Sequence, residues 1–350
     1  MRLEITERMP QVTILHHLQP DGTLWGTAGR KILRRGPDHN WTIVGQFPFI
    51  PQRDLLALAR PLARALRADK ANIYVNRLGR TLGIRSSTVY AVSDQSVQPL
   101  FSIQGDSVLH GGLCEDGDGA IYFGEYFMNP TRGSVHIWRV VPDLSGGEAA
   151  HTFPAGQIRH IHGIYPDPFE PGSIWVATGD YQGENYLWRT RDGFANLERF
   201  GDGEQIWRAV RLFFTPDFIC WLTDSQLETN HACRMSRQDR RLEIGQALEA
   251  PAWYGATTSD GWHIAFTTVE PGPAVTRSDS AILASRDAFH WQEVASFEKD
   301  SWRPMKVFKY GVISCPSGTM SSTNFYLSGE GLRRLDGTSL QVRLVEESTP

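Results

Sequence analysis

The chain lacks most of the features that assign a protein quickly. No apolar run approaches the roughly 18 residues of a membrane-spanning helix. Basic residues are not in excess: 35 Lys and Arg stand against 39 Asp and Glu, a net charge of -4. That balance argues against a nucleic-acid binder. There are only four cysteines, Cys114, Cys220, Cys233 and Cys315, with no framework spacing. They read as buried free thiols of a reducing compartment. The opening Met1-Arg2-Leu3-Glu4-Ile5-Thr6-Glu7-Arg8 has no apolar core and is not a secretion signal. The expected location is therefore the cytoplasm. No long amphipathic helix is visible either. The one helical signal is Asp54–Arg60, an apolar run with a capping Asp before it and Pro61 after it.

A regular beat is present instead. Asp38, Asp94, Asp143, Asp192, Asp239, Asp287 and Asp336 follow one another at 47 to 56 residues. Each stands after a short β-like run: Lys31–Arg35, Thr88–Val92, Val135–Val140, Tyr186–Thr190, Ala232–Ser236, Ser280–Ser285 and Gly331–Leu335. A second landmark keeps the same time. It is a branched or aromatic pair: Leu24-Trp25, Ile73-Tyr74, Ile121-Tyr122, Ile174-Trp175, Ile219-Cys220, Ile264-Ala265 and Val312-Ile313. A period of this length marks a repeat architecture and holds four strands with their turns.

The predicted fold is all-β: a seven-bladed β-propeller of four-stranded antiparallel blades, with one short helical insertion near residues 54–60. The whole chain, 1–350, reads as a single domain. The blades fall near 10–48, 61–103, 107–154, 159–202, 206–248, 252–298 and 302–346. Arg2–Glu7 either pairs with the last blade beside Leu340–Val345 or forms an arm.

Ser285-Arg286-Asp287-Ala288-Phe289-His290-Trp291 resembles the Asp box of the sialidase and BNR-repeat superfamily, which runs Ser-x-Asp-x-Gly-x-Thr-Trp. Thr190-Arg191-Asp192-Gly193-Phe194-Ala195-Asn196-Leu197 is a looser copy, and Asp38 with Trp41 looser still. A short carboxylate there accepts backbone N–H bonds in a tight turn, so the seven aspartates read as structural. The resemblance implies that the Asp boxes lie on the face away from the active site.

The starts of inner strands and the ends of second strands should then converge on the opposite mouth. Collected by repeat position, this mouth holds His110, His160, His162, Arg208, Trp207, Trp253, Tyr254, Trp302 and Arg303 from the inner strands. Arg77, Glu125, Tyr126, Asp180, Asp224 and Glu270 come from the second strands, with Asn230 just beyond. His110, His160 and His162 near Asp180 or Glu125 suit a divalent metal, a general base, or hydrogen bonds to carbonyls around a wet channel. Glycine after His110 and His162 lets a ligand or another strand come close. Arg77, Arg208 and Arg303 suit a carboxylate or sulfate, or salt bridges to Asp224 and Glu270. Trp207, Trp253, Tyr254 and Trp302 suit sugar rings or packing between blades. Asp180 and Asp224 occupy matching places, as an acid–base pair would.

This composition points to a carbohydrate-active enzyme on an acidic, uronate-containing saccharide, a lyase or a glycosidase. Several polysaccharide-lyase families are similar in architecture. Lyase chemistry would use Arg208 or a metal on the uronate carboxylate, His162 or His110 as base, and Tyr126 or Tyr254 as acid. A non-catalytic glycan- or protein-binding propeller is the alternative. A sialidase-like hydrolase is the second alternative, from Arg8-Met9-Pro10, Asp21-Gly22-Thr23-Leu24 and Gly29-Arg30, which are similar to that family's opening stretch. No cofactor is assigned beyond the possible metal at His110, His160 and His162. The expected partner is an acidic carbohydrate, with no nucleic acid and no membrane. The sequence does not assign an oligomeric state.

Overall fold

β-branched and aromatic residues alternate with Gly, Asp and Asn turns along nearly the whole chain, and the strands follow that pattern. The computed structural model describes residues 1–55, 60–66, 68–94, 96–300, 305–308 and 310–346. Seven antiparallel sheets of four strands form seven blades, and one of them takes a short fifth strand. The inner strands are Ile14–Leu18, Asn72–Val75, Leu113–Glu115, His160–Pro166, Ala209–Phe214, Ala252–Thr257 and Val312–Ser314. In blade four the next three strands are Ile174–Gly179, Asn185–Thr190 and Glu198–Gly203, in sequence order outward.

The N-terminal strand closes the ring. Arg2–Met9 runs antiparallel to Thr338–Val345 and forms the outer strand of blade seven. The first and last segments thus share one sheet. Ser317–Gly318 adds a short parallel pairing to the inner strand of blade one, His17 opposite Ser317.

The core lies between blades. Trp175 and Trp221, both fully buried, fill the gap between blades four and five with Tyr165, Phe200 and Trp207. At two points on the inner strands there is no room for a side chain. A Cβ on Gly112 would sit 3.3 Å from the Gly163 Cα, and one on Gly163 would sit 2.1 Å from the Tyr165 hydroxyl. Gly112 thus serves strand-to-strand approach and Gly163 makes room for Tyr165, whereas Gly111, which follows His110, has no atom within 4 Å of a Cβ position and faces open space.

Three expectations need correction. Residues 56–59 of the expected helical insertion lie outside the described residues, and on either side of them the chain forms two short helices, Pro51–Asp54 and Arg60–Ala65. Asp54 ends the first instead of capping it: its Oδ2 accepts the Ile50 N–H at 2.8 Å and its Oδ1 binds Arg85 at 2.5 Å. Pro61 lies in the first turn of the second helix, where its missing N–H costs nothing. Gly331–Leu335 is a turn, and the strand before it is Phe325–Glu330. Finally, Ile73-Tyr74 and Val312-Ile313 lie on inner strands, while the other five landmark pairs lie on second strands.

The repeated aspartates make local turn bonds. Asp287 Oδ1 accepts the N–H groups of Phe289 and His290 at 3.0 and 2.8 Å, and the Ser285 hydroxyl at 3.0 Å. Asp192 Oδ1 does the same for the Asn196 N–H and the Thr190 hydroxyl, both at 2.9 Å. Phe194 and Phe289, just after them, are buried.

Candidate functional site

A cavity of about 530 Å³ opens where the inner strands begin. A second, of about 1020 Å³, opens where they end, and Asp287 lines that one. The Asp287 turn and the mouth with the clustered histidines therefore face opposite ways along the channel. His110 and Tyr254 line both cavities.

The centre of the first mouth is built on blade four. His160 and His162 alternate along its inner strand, and the ladder bulges between Ile161 and Gly163, at His162. A bulge re-aims a side chain, and here the two Nε2 atoms come within 3.2 Å. His160 Nδ1 lies 2.8 Å from the Phe127 carbonyl, and His162 Nδ1 lies 2.8 Å from the Ala209 carbonyl. A carbonyl only accepts, so in the neutral rings both Nδ1 atoms carry the hydrogen. Both Nε2 atoms then turn inward, towards each other and Asp180, where a proton or a bound cation is needed to link these acceptors.

Asp180, just after the second strand, faces them. Its Oδ1 is 3.1 Å from His162 Nε2 and its Oδ2 is 3.2 Å from His160 Nε2. Arg159 Nη1 donates to Oδ2 at 2.5 Å, and Arg208 Nη2 lies 3.0 Å from Oδ1. Burial alone would raise the Asp180 pKa. The surrounding His160, His162 and Arg208 overcome it and hold the carboxyl well below its usual range. Burial also lowers the pKa of His160, against the pull of Asp180.

Arg208 is the hinge to blade five. Its Nε and Nη2 reach Asp224 Oδ2 at 3.2 Å, and its Nη1 donates to the Asp180 carbonyl and to Gln226 Oε1. Its donors are thus committed to protein acceptors. Asp224 in turn accepts the Trp253 indole N–H at 2.6 Å. Burial raises its pKa despite Arg208. Beside it, Glu270 of blade six is pushed up to about 8 by burial and by the Asp224 charge. Glu270 Oε1 is buried and has no hydrogen-bond partner. The Tyr126 ring rests on His160 with centroids 4.2 Å apart. Burial, then the charge of Asp180, raises the pKa of its phenol.

The first mouth therefore brings together His110, His160, His162, Tyr126, Asp180, Arg208, Asp224, Trp253 and Tyr254. His110 stands apart from the histidine pair. It packs against His16 and Tyr254 with centroids 5.7 and 5.5 Å away, and burial brings it down to about 4. The set of converging ligand atoms is His160, His162 and Asp180, without His110. Glu125 is equally remote from it, held by His136, Trp138 and Gln104.

Other expected residues lie elsewhere. Arg77 follows the inner strand of blade two, at the opposite mouth, and pairs with Glu115 at 3.3 Å. Trp207 is core, stacked on Trp221 at 5.3 Å. Asn230 is a brace: it receives the Ser225 N–H at 2.7 Å and the Thr223 hydroxyl at 3.0 Å, fixing the stretch that carries Asp224. Arg8 lies on the outer strand of blade seven and donates to the Arg334 carbonyl. Trp302 and Arg303 lie outside the described residues. Two residues gain importance. Arg159 precedes an inner strand just as Arg208 does, a parallel visible in the repeat. Glu270 was readable only as a partner for arginines, because its protonation depends on burial.

No protein-family model matches the chain, and no curated protein matches it. Solved structures do. YCF48 bound to D1 peptide aligns with a TM-score of 0.56 and 11% identity, over 100% of this chain and 98% of that one. Raptor from Chaetomium thermophilum gives 0.56 and 10% identity, over 100% of this chain and 29% of its own. The extracellular domain of the one-component system BT4673 from B. thetaiotaomicron gives 0.55 and 10% identity, over 99% and 40%. At this identity the likeness is one of fold.

Proposed function

We propose that this chain is a carbohydrate-active enzyme that uses acid–base chemistry on an acidic, uronate-bearing saccharide. One observation carries the reading. Glu270 lines the cavity that the histidine pair also lines, keeps its proton to about 8, and has a buried oxygen with no hydrogen-bond partner. A buried carboxylic acid that stays protonated at neutrality is suited to protonating a leaving oxygen. Imidazole Nε2 lone pairs are suited to accepting a proton. For elimination, His162 takes the proton next to the uronate carboxylate. The C–O bond at the neighbouring carbon breaks, a C=C bond forms, and Glu270 hands its proton to the departing oxygen. Tyr126 and Trp253 offer ring faces to a sugar.

Arg208 does not serve the substrate carboxylate, since its N–H groups are spent on Asp180, Asp224 and Gln226. That role passes to Arg159 or to a divalent metal. The metal would be held by His160, His162 and Asp180, an N,N,O set with both Nδ1 atoms anchored by carbonyls, and His162 would then be a ligand and not the base. Such an ion would supply Lewis acidity towards a substrate oxygen.

A panel of uronate polymers, read by the ultraviolet absorbance of unsaturated products and by reducing ends, tests the proposal. Absorbance with new ends indicates elimination, and ends alone indicate hydrolysis. Neither signal across the panel removes the enzymatic reading. The exposed Met128 and Tyr181 at the rim favour a binding platform as the second reading. It predicts retention on immobilised glycan or peptide without turnover. The position of Arg8 gives no support to a sialidase-type site.

A further inference from the structure

The second cavity, at the opposite mouth, holds an arginine that the chemistry above does not use. Arg211 lies on the inner strand of blade five, three residues past Arg208. Among the described residues, every other arginine that is not exposed and whose side chain is described has an oxygen partner, but Arg211 makes no hydrogen bond or ion pair. Its Nε is buried with no partner at all. Its guanidinium is flanked only by rings, the carbon 5.0 Å from the Tyr165 centroid and 5.9 Å from that of Phe213. The charge is felt by His263 of blade six, Tyr165 of blade four and Cys315 beyond blade seven's inner strand. It stands between Tyr165 of the neighbouring blade four and Phe213 of its own strand.

The acids of this cavity do not compensate it. Glu115 is taken by Arg77 at 3.3 Å. Asp287 is saturated by its own turn and by His290 Nδ1 at 2.6 Å. Asp217 is exposed and forms no ion pair among the described residues. His263 adds a buried imidazole whose Nδ1 meets the Thr257 hydroxyl at 2.9 Å. Leaving a partly buried cation without an acceptor is costly. The walls around it are aromatic and proline-rich, with Tyr74, Pro166, Phe214 and Tyr254.

We infer that this mouth is a second ligand site, which binds a small organic monocarboxylate with an apolar body. Arg211 receives the carboxylate, and the ring-lined walls receive the body. A single planar guanidinium matches one carboxylate. It is centred on Arg211, which the histidine mouth does not use.

Calorimetric titration of the full chain with acetate, benzoate, phenylacetate and benzamide tests it, with inorganic phosphate as a separate arm. Benzoate or phenylacetate should bind, and benzamide should bind at least about tenfold more weakly. Arg211→Gln should lose that preference for the charged ligand. Because Arg211 has no polar partner, the variant should keep or gain thermal stability, so loss of binding is separable from misfolding. Glu270→Gln should bind benzoate as the wild type does. The inference is overturned if Arg211→Gln binds benzoate like the wild type. It is equally overturned if no carboxylate of the panel binds in an Arg211-dependent way, or if phosphate alone does.

Discussion

Replacing Glu270 by Gln should make the protein more stable in alkali and, under the proposed function, abolish turnover. The carboxyl has an ordinary value of 4.5 and stands at about 8 in the fold. Below about pH 4.5 it is protonated in both folded and unfolded chains and contributes nothing to the pH dependence. Between there and about 8 the unfolded chain gives up the proton while the folded chain keeps it, so stability falls as pH rises. Each tenfold in proton affinity is worth about 1.4 kcal/mol, which sets a ceiling of roughly 5 kcal/mol. Asp224 shares the titration, and water enters once the group ionises. The gain expected from Gln is therefore about 2 kcal/mol at pH 9. Glutamine is nearly isosteric and keeps a donor, so packing and the Trp253 neighbourhood survive. Urea unfolding of both proteins at pH 5, 7 and 9 measures it. The difference should be near zero at pH 5 and favour Gln increasingly up to pH 9. A difference that is flat with pH, or that favours the wild type at pH 9, refutes a neutral Glu270 and with it the general-acid assignment.

Asp180→Asn removes the carboxylate between Arg159 and Arg208 and leaves two largely buried cations short of a partner. It should cost about 3–5 kcal/mol in urea unfolding, far more than a surface Asp→Asn. Asn230→Ala strands the Ser225 N–H and the Thr223 hydroxyl, so about 1–3 kcal/mol of stability should be lost. Any fall in kcat for this variant should follow displacement of Asp224, with no loss of ligand contacts, and a crystal structure of the variant would reveal the displacement.

The architecture was legible because its signals are local. A carboxylate that closes a turn, such as Asp287 or Asp192, needs only its own N–H neighbours, and the spacing of such turns counts the blades. Strand identity was less legible. Inner and second strands are both apolar and β-branched, so a pair such as Ile73-Tyr74 does not say which of the two it belongs to. The helices at Pro51–Asp54 and Arg60–Ala65 shift the count by one strand in blade two, which sent Arg77 to the wrong mouth. Where the ruler held, in blades four to six, it gathered His160, His162, Asp180, Arg208, Asp224 and Trp253 correctly. Trp207 takes the packing alternative, because the short turn Gln205–Trp207 places the indole on Trp221 and leaves Arg208 at the mouth.

Protonation was not legible at all, because it depends on a charge count that only the fold assembles. With Asp180 and Asp224 ionised, Arg159 and Arg208 balance them, and a neutral Glu270 leaves the cluster near zero. Ionising Glu270 adds an unbalanced negative charge in a buried place, which is why its proton is held so firmly. The same count fixes how a ligand acts on it. An anionic substrate entering the mouth adds further negative charge and strengthens the hold on the Glu270 proton. A divalent cation at His160, His162 and Asp180 works the other way and favours the ionised form. Under the proposed function, binding of an acidic saccharide would keep Glu270 in the state that can donate. A metal bound alone should shift its titration towards lower pH, a shift that an infrared carboxyl band in wild type but not Glu270→Gln would report. Absence of such a shift on adding metal would mean that no cation binds within electrostatic reach of Glu270.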